Sequence, residues 1–201
     1  WGREHNVSGL APAARKRVTL LQENVLTVRT EPVDAVLAMN FSYYTFQKRE
    51  ALRQYFKNVH RSLAEGGIFF LDCYGGSEAH SECREKRKIN KDFQYIWEQA
   101  HYSPITGEMT CFIHFHFADG SKMNKAFEYV WRLWTLPEIR EVLAEAGFAK
   151  STVYWEGTEE DTNEGNGEFE PTEIGDADPA GIAYVVAEKG AAVSDKHLTA
   201  Q

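Results

Sequence analysis

Three groups of side chains in this sequence have types and spacings that could carry chemistry. Asp72 and Tyr74 close the apolar run Ile68-Phe69-Phe70-Leu71, and Tyr43 follows a second run, Ala35-Val36-Leu37-Ala38, after a short polar stretch. A carboxylate and two phenols at strand ends have the address of general acid–base or orienting groups, so Asp72, Tyr74 and Tyr43 are the candidate catalytic residues. For Asp72 the alternative is a plain strand-terminating role. His114 and His116 alternate with Ile113, Phe115 and Phe117, which puts both imidazoles on one strand face. Two histidines at that spacing could begin a metal site, yet no third ligand lies nearby, so a polar strand face is the ordinary reading and no metal is expected. Phe127, Tyr129, Trp131 and Trp134 could form an aromatic wall for a cationic amine or simply pack as core.

The elements that must position these groups are legible from periodicity. Pro32 and Asp34 introduce a strand from Ala35 to Met39, and Gly66-Gly67 precedes a second, Ile68 to Leu71, apolar throughout as in strands buried on both faces. Between them Leu52, Tyr55, Phe56, Val59 and Leu63 fall on one helical face over Gln47 to Leu63. Arg49, Arg53, Lys57 and Arg61 form a second stripe, read as a solvated surface rather than a basic docking face. Upstream, Trp1 to Asn6 reads as helix and Arg17 to Gln22 as a short strand ending at Asn24 and Val25. Ser77 to Lys91 is polar and loosely helical. Phe93–Glu98, Met109–Phe117 and Lys125–Leu133 read as three antiparallel strands joined by turns. Thr135 and Glu138 have capping-box spacing ahead of a helix that ends at Gly147. Two further strands, Ser151–Glu156 and Gly181–Glu188, flank an acidic loop.

Composition narrows the class. The chain has 201 residues, 43% of them hydrophobic and 13% aromatic, enough for one core with a small appendage. Its net charge of −8 is concentrated in Thr158 to Ala180, which holds nine carboxylates and no Lys or Arg; the remainder is close to +1. That balance gives no signature for nucleic acid. No apolar run approaches the roughly 18 residues of a membrane span. Three cysteines without a closing pairing suggest a reduced, cytoplasmic setting.

Taken in order, these pieces resemble the middle and end of a class I S-adenosylmethionine-dependent methyltransferase of the small-molecule branch. The resemblance rests on Val33 to Tyr44, on Leu63-Ala64-Glu65-Gly66-Gly67 before the second strand, on Ala146-Gly147-Phe148, and on Tyr154-Trp155-Glu156-Gly157 with Ile182-Ala183-Tyr184. Glu65 stands where the family commonly has proline. The resemblance implies S-adenosylmethionine as cofactor, with Asn24 and Val25 on its adenine side and Ala38, Met39, Asn40 and Phe41 along its adenine and methionine portions. It also implies a small-molecule nitrogen or oxygen acceptor. The family's glycine-rich turn, where bare backbone lets a ligand approach closely, does not occur in this sequence. The sequence therefore reads as a fragment that begins after the family's second strand. Alone it is expected to associate with itself and to bind cofactor poorly.

The expected fold is α/β, an open, mostly parallel doubly wound sheet, Rossmann-like, with helices on both faces, an antiparallel last strand and an antiparallel β insertion. The expected division is the C-terminal part of a cofactor-binding α/β core over 1–92, an antiparallel insertion or lid over 93–133, the rest of the core over 134–189 with an acidic loop at 158–180, and a disordered tail over 190–201. Two rival readings are a catalytically silent remnant or interaction module of the same fold, and a dinucleotide-binding enzyme of similar topology.

Overall fold

A computed structural model describes residues 1–159 and 165–190. Two short helical turns, α1 (Gly2–His5) and α2 (Pro12–Arg15), open the chain. They are followed by β1 (Val33–Ala38), a 3₁₀ turn at Ser42–Thr45, α3 (Arg49–Ser62) and β2 (Leu63–Gly75). Next come β3 (Cys83–Lys88), β4 (Phe93–Tyr102), β5 (Glu108–Phe117) and β6 (Lys122–Arg132). The chain closes with α4 (Leu136–Ala146), β7 (Lys150–Thr158), β8 (Gly165–Pro171) and β9 (Gly181–Glu188).

Two sheets result. The first has the order β1-β2-β9-β7-β8, the second the order β3-β4-β5-β6. In the first sheet only β1 and β2 run parallel, joined by α3 as crossover; β2–β9, β9–β7 and β7–β8 are all antiparallel. The expectation of a mostly parallel sheet is corrected to this extent among the described residues. The helices α3 and α4 pack on one another, α3 against β2 and α4 against β7. Leu52, Phe56, Val59, Ile139, Val142 and Leu143 are buried there against Phe69, Leu71 and Val185. The opposite face carries Phe70 packed at a tilt against Tyr184, and Leu37 remains 64% exposed. Helices on both faces are thus not found among the described residues.

Local chemistry explains where the elements start and stop. Thr135 caps α4 in a complete capping box with Glu138, and Gly147 ends that helix in the left-handed conformation at φ 108°. The insertion differs from expectation in strand number. Residues 83–88, read as polar and loosely helical, form β3, because alternating Cys83, Glu85 and Arg87 can pair edge-on with β4 in full register. Residues 18–24 form no strand, having no neighbour to pair with. That segment is tied elsewhere: the buried Asn58 side chain on α3 donates to the carbonyls of Val25 at 2.8 Å and Val28 at 3.1 Å. The acidic stretch 158–180 is not a single loop, since β8 pairs within it against β7, with Trp155 opposite Glu170. Its residues 160–164 lie outside the described set, as does the expected tail beyond residue 190. No helix among the described residues is long and apolar enough to cross a membrane.

Candidate functional site

The second sheet stands over the carboxyl ends of β1 and β2, and between them lies a cleft of about 1130 Å³. An open α/β sheet presents its ligand crevice at this end of its parallel strands. One wall is the segment Met39–Phe41 after β1; the facing wall is formed by Tyr95, Trp97, Ile113, Tyr129 and Trp131 of β4, β5 and β6. Glu78, Glu85, Arg87 and Glu156 supply the charge.

The first wall is held under strain. Asn40 and Phe41 both have left-handed backbone, with φ of 58° and 55°. Such a conformation costs an ordinary residue about 1–2 kcal/mol. The Asp72 carboxylate offsets it: Asn40 N–H donates to Oδ2 at 2.7 Å and Phe41 N–H to Oδ1 at 2.8 Å. Successive backbone N–H groups arranged this way make an anion-binding concavity, here filled by the protein's own side chain. Asp72 is 5% exposed and sits on β2, next to β1, so the pairing of the two strands sets the geometry. The Tyr43 hydroxyl donates to the Asp72 carbonyl at 2.6 Å. Tyr44 adds hydrogen bonds to the carbonyls of Tyr74 and Trp134 and lies 3.2 Å from the Cys73 sulfur. Burial holds the Tyr43 and Tyr44 phenols well above the usual tyrosine range and pushes the Cys73 thiol up to about 11.

Tyr74 bridges the two sheets. Its hydroxyl donates to Gln99 Oε1 at 2.9 Å, while the Gln99 amide donates to the carbonyls of Glu78 and Ser81. Burial again raises its phenol strongly. The ring lies 5.2 Å from that of Phe41, centroid to centroid.

The second wall is aromatic and continuous. Trp97, Tyr129 and Trp131 pack together at a tilt with centroids 4.6–6.3 Å apart. On β3, Glu85 pairs in register with Trp97, and Arg87 with Tyr95. These four residues line a side recess of about 210 Å³. The Glu156 carboxylate accepts the Gly167 N–H at 2.9 Å.

The structure brings together Met39, Asn40, Phe41 and Tyr74 of the residues singled out in the sequence, with Asp72 and Tyr43 directly behind them. Ala38 is buried beneath, 3% exposed. Asn24 and Val25 do not line the cleft: the Asn24 side chain accepts from Leu26 N–H in its own turn. Trp131 and Tyr129 do line it, while Phe127 is exposed and Trp134 is core. His114 is buried on the far face of the second sheet, where Nδ1 accepts from Lys125 N–H at 3.1 Å. Its Nε2 lies 2.8 Å from Glu98 Oε2, off the line a hydrogen bond requires. No metal-holding cluster is present among the described residues. Sequence reasoning passed over Glu78, Glu85, Arg87, Tyr95, Trp97 and Gln99. The alternation of residues 83–88 was the available signal, since it places Glu85 and Arg87 on one face.

No protein-family profile matches the chain, and no curated protein matches it. Solved structures do. An S-adenosylmethionine-dependent methyltransferase from Clostridium acetobutylicum ATCC 824 superposes with a TM-score of 0.61 at 15% identity, over 94% of this chain and 69% of that one. The CcbJ methyltransferase from Streptomyces caelestis gives 0.60 at 12% identity, over 84% and 62%. DesVI of Streptomyces venezuelae gives 0.59 at 17%, over 87% and 67%. The chain thus spans about two thirds of the length of these structures. Its fold is that of the S-adenosylmethionine-dependent methyltransferases.

Proposed function

We propose that the protein takes part in transfer of a methyl group from S-adenosylmethionine to a nitrogen or oxygen of a small molecule. The observation that carries this reading is the cleft itself: a strained, stapled backbone segment at the end of β1 faces an aromatic wall across about 1130 Å³. Similar solved structures include an amino pentose methyltransferase and a sugar N-methyltransferase, which supports a small-molecule acceptor.

The residues present fit one side of such a cofactor. The left-handed turn at Asn40 and Phe41 brings backbone to the cleft edge, and Met39 offers an apolar, adaptable surface there. When bound, the cofactor supplies a methyl carbon on a positively charged sulfur. This chain's part is positioning, which can lower a barrier by several kcal/mol when the reacting atoms are held in line. Asp72 and Tyr43 fix the Met39–Phe41 wall, and Tyr74 joins that wall to the second sheet through Gln99. All three act as positioning residues, because their polar atoms are already committed. The proton shed by the acceptor leaves by way of the exposed carboxylates of the cleft, Glu78 and Glu85.

Titration of the full-length protein with S-adenosylhomocysteine tests this reading. Saturable binding is expected, and Met39→Asp should abolish it with an unchanged urea midpoint. Absence of binding by the wild type, or binding indifferent to Met39→Asp, overturns it.

A further inference from the structure

The chemical class of the acceptor can be read from how the cleft spends its aromatic rings and its charges. Among the described residues two cations lie over aromatic faces, Lys125 over Phe112 at 4.2 Å and Arg132 over Trp134 at 3.7 Å. Neither of these rings lines the cleft. The rings of the insertion-side wall, Tyr95, Trp97, Tyr129 and Trp131, carry no protein cation among the described residues. Three carboxylates border them, Glu78, Glu85 and Glu156, and none is in an ion pair among the described residues. Arg87 is the one cation of the lining.

An electron-rich wall flanked by unpaired carboxylates disfavours an anion and attracts a cation. A ring face contributes about 0.5–1 kcal/mol at an exposed site and about 2 or more where water is excluded. Trp97 is half-buried and Trp131 is 8% exposed, so this wall lies toward the drier end. The register places Glu85 directly beside Trp97, on the strand that borders the aromatic face. A charged partner thus stands at the edge of the ring that a cation would cover.

We propose that the acceptor is an amine that docks as its ammonium form against Trp97, Tyr129 and Trp131 with Glu85 as its counter-charge. Before transfer it would give one N–H proton to solvent by way of Glu85; the freed lone pair would then take the methyl group as the sulfur–methyl bond breaks and S-adenosylhomocysteine leaves. This rests on the methyl-transfer reading above and names the substrate class of the same site. Methylation of nitrogen keeps or fixes its positive charge, so the same wall also receives the methylated product. Arg87 sits two residues along β3 from Glu85 and limits how far a cationic group can extend along the recess.

The test uses a matched pair of probes, choline and its neutral isostere 3,3-dimethyl-1-butanol, followed by tryptophan fluorescence and by ligand-observed NMR. Choline mimics a fully methylated amine, and the isostere keeps its shape without its charge. Choline is expected to bind at least tenfold more tightly than the isostere. Trp97→Leu, which keeps an apolar side chain but removes the ring, should weaken choline at least tenfold; Glu85→Gln should weaken it about threefold and flatten its salt dependence. Urea midpoints of both variants report folding independently. Equal binding of the two probes, or discrimination that survives Trp97→Leu, overturns the inference. Saturable S-adenosylhomocysteine binding without discrimination refutes the amine and leaves methyl transfer standing. Discrimination without S-adenosylhomocysteine binding refutes the methyl-transfer reading and with it the amine's role as acceptor.

Discussion

The two walls of the cleft are built on opposite principles. On the strand-end side the buried polar groups are spoken for: both Asp72 oxygens and the Tyr43 and Tyr74 hydroxyls have partners within the protein, Tyr74 by reaching Gln99 of the second sheet. On the insertion side the carboxylate of Glu85 and the guanidinium of Arg87 are exposed, with no ion-pair partner among the described residues. A fully committed wall can hold one shape to a fraction of an ångström, which suits a ligand whose reactive atom must be aligned. An uncommitted wall can exchange water for ligand, which suits recognition. The contrast is one of carboxylates as much as of walls, because Asp72 and Glu85 are chemically alike and differ only in what surrounds them.

The largest expected effect comes from alkali, and it strikes the committed side. Burial raises the Tyr43, Tyr44 and Tyr74 phenols and lifts the Cys73 thiol to about 11, all at the end of β2; Cys111 on the second sheet rises to about 12. The native state therefore holds these protons more tightly than the unfolded chain, whose thiols and phenols titrate near 9 and 10. Above pH 9 the unfolded state binds fewer protons, so stability falls as pH rises. Urea midpoints measured from pH 7 to 11 should be level at first and drop beyond pH 9. A level profile throughout would remove the picture of a dry strand-end wall.

The next effect compares the two carboxylates by the same substitution. Asp72→Asn turns an amide N–H toward a backbone N–H and should cost about 2–3 kcal/mol, as for a lost charge-assisted hydrogen bond in a buried site. Glu85→Gln should stay within about 0.5 kcal/mol, as for an exposed side chain. Urea denaturation of the pair measures both, and equal costs would erase the distinction between the walls.

A third test lies where the segment before β9 crosses β2. Gly76 has φ 102°, a Cβ there would collide with the Pro179 carbonyl, and Glu78 N–H donates to that same carbonyl at 2.8 Å. Gly76→Ala should cost about 1–3 kcal/mol through strain and overpacking. The smallest effect is remote from both walls: Thr135→Ala removes the α4 cap and should cost about 1 kcal/mol. Choline binding in that variant should be unchanged, which controls for loss of stability alone.

The sequence was most readable where one element's own residues decide the outcome. The apolar face of α3, the Thr135–Glu138 box and β9 at Gly181–Glu188 are all local signals, and all appear in the structure. Gly66-Gly67, expected to precede the second strand, instead falls inside β2 as a register irregularity against β1. It was least readable where pairing decides. Residues 83–88 are charged enough to read as helix or loop, and only the presence of β4 makes them a strand. Residues 17–22 have strand composition but no partner. The same division runs through the site. Met39–Phe41 could be placed from a strand end, whereas the roles of Asp72 and Tyr74 depend on groups distant in sequence. Asp72 reads as a base in isolation; beside two left-handed amides it is a clamp. The cleft face of β3 and β4 required knowing that the two strands meet.

The separation of the site onto two sheets has an evolutionary consequence. Among the described residues the strands β3 to β6 pair as strands only with one another, and they present one face to the cleft. Substitutions at Glu85, Arg87, Tyr95 or Trp97 can therefore redraw the cleft's outline while the Asp72 staple and the helical layer beneath it stay untouched. A cleft built this way can change what it fits one side chain at a time.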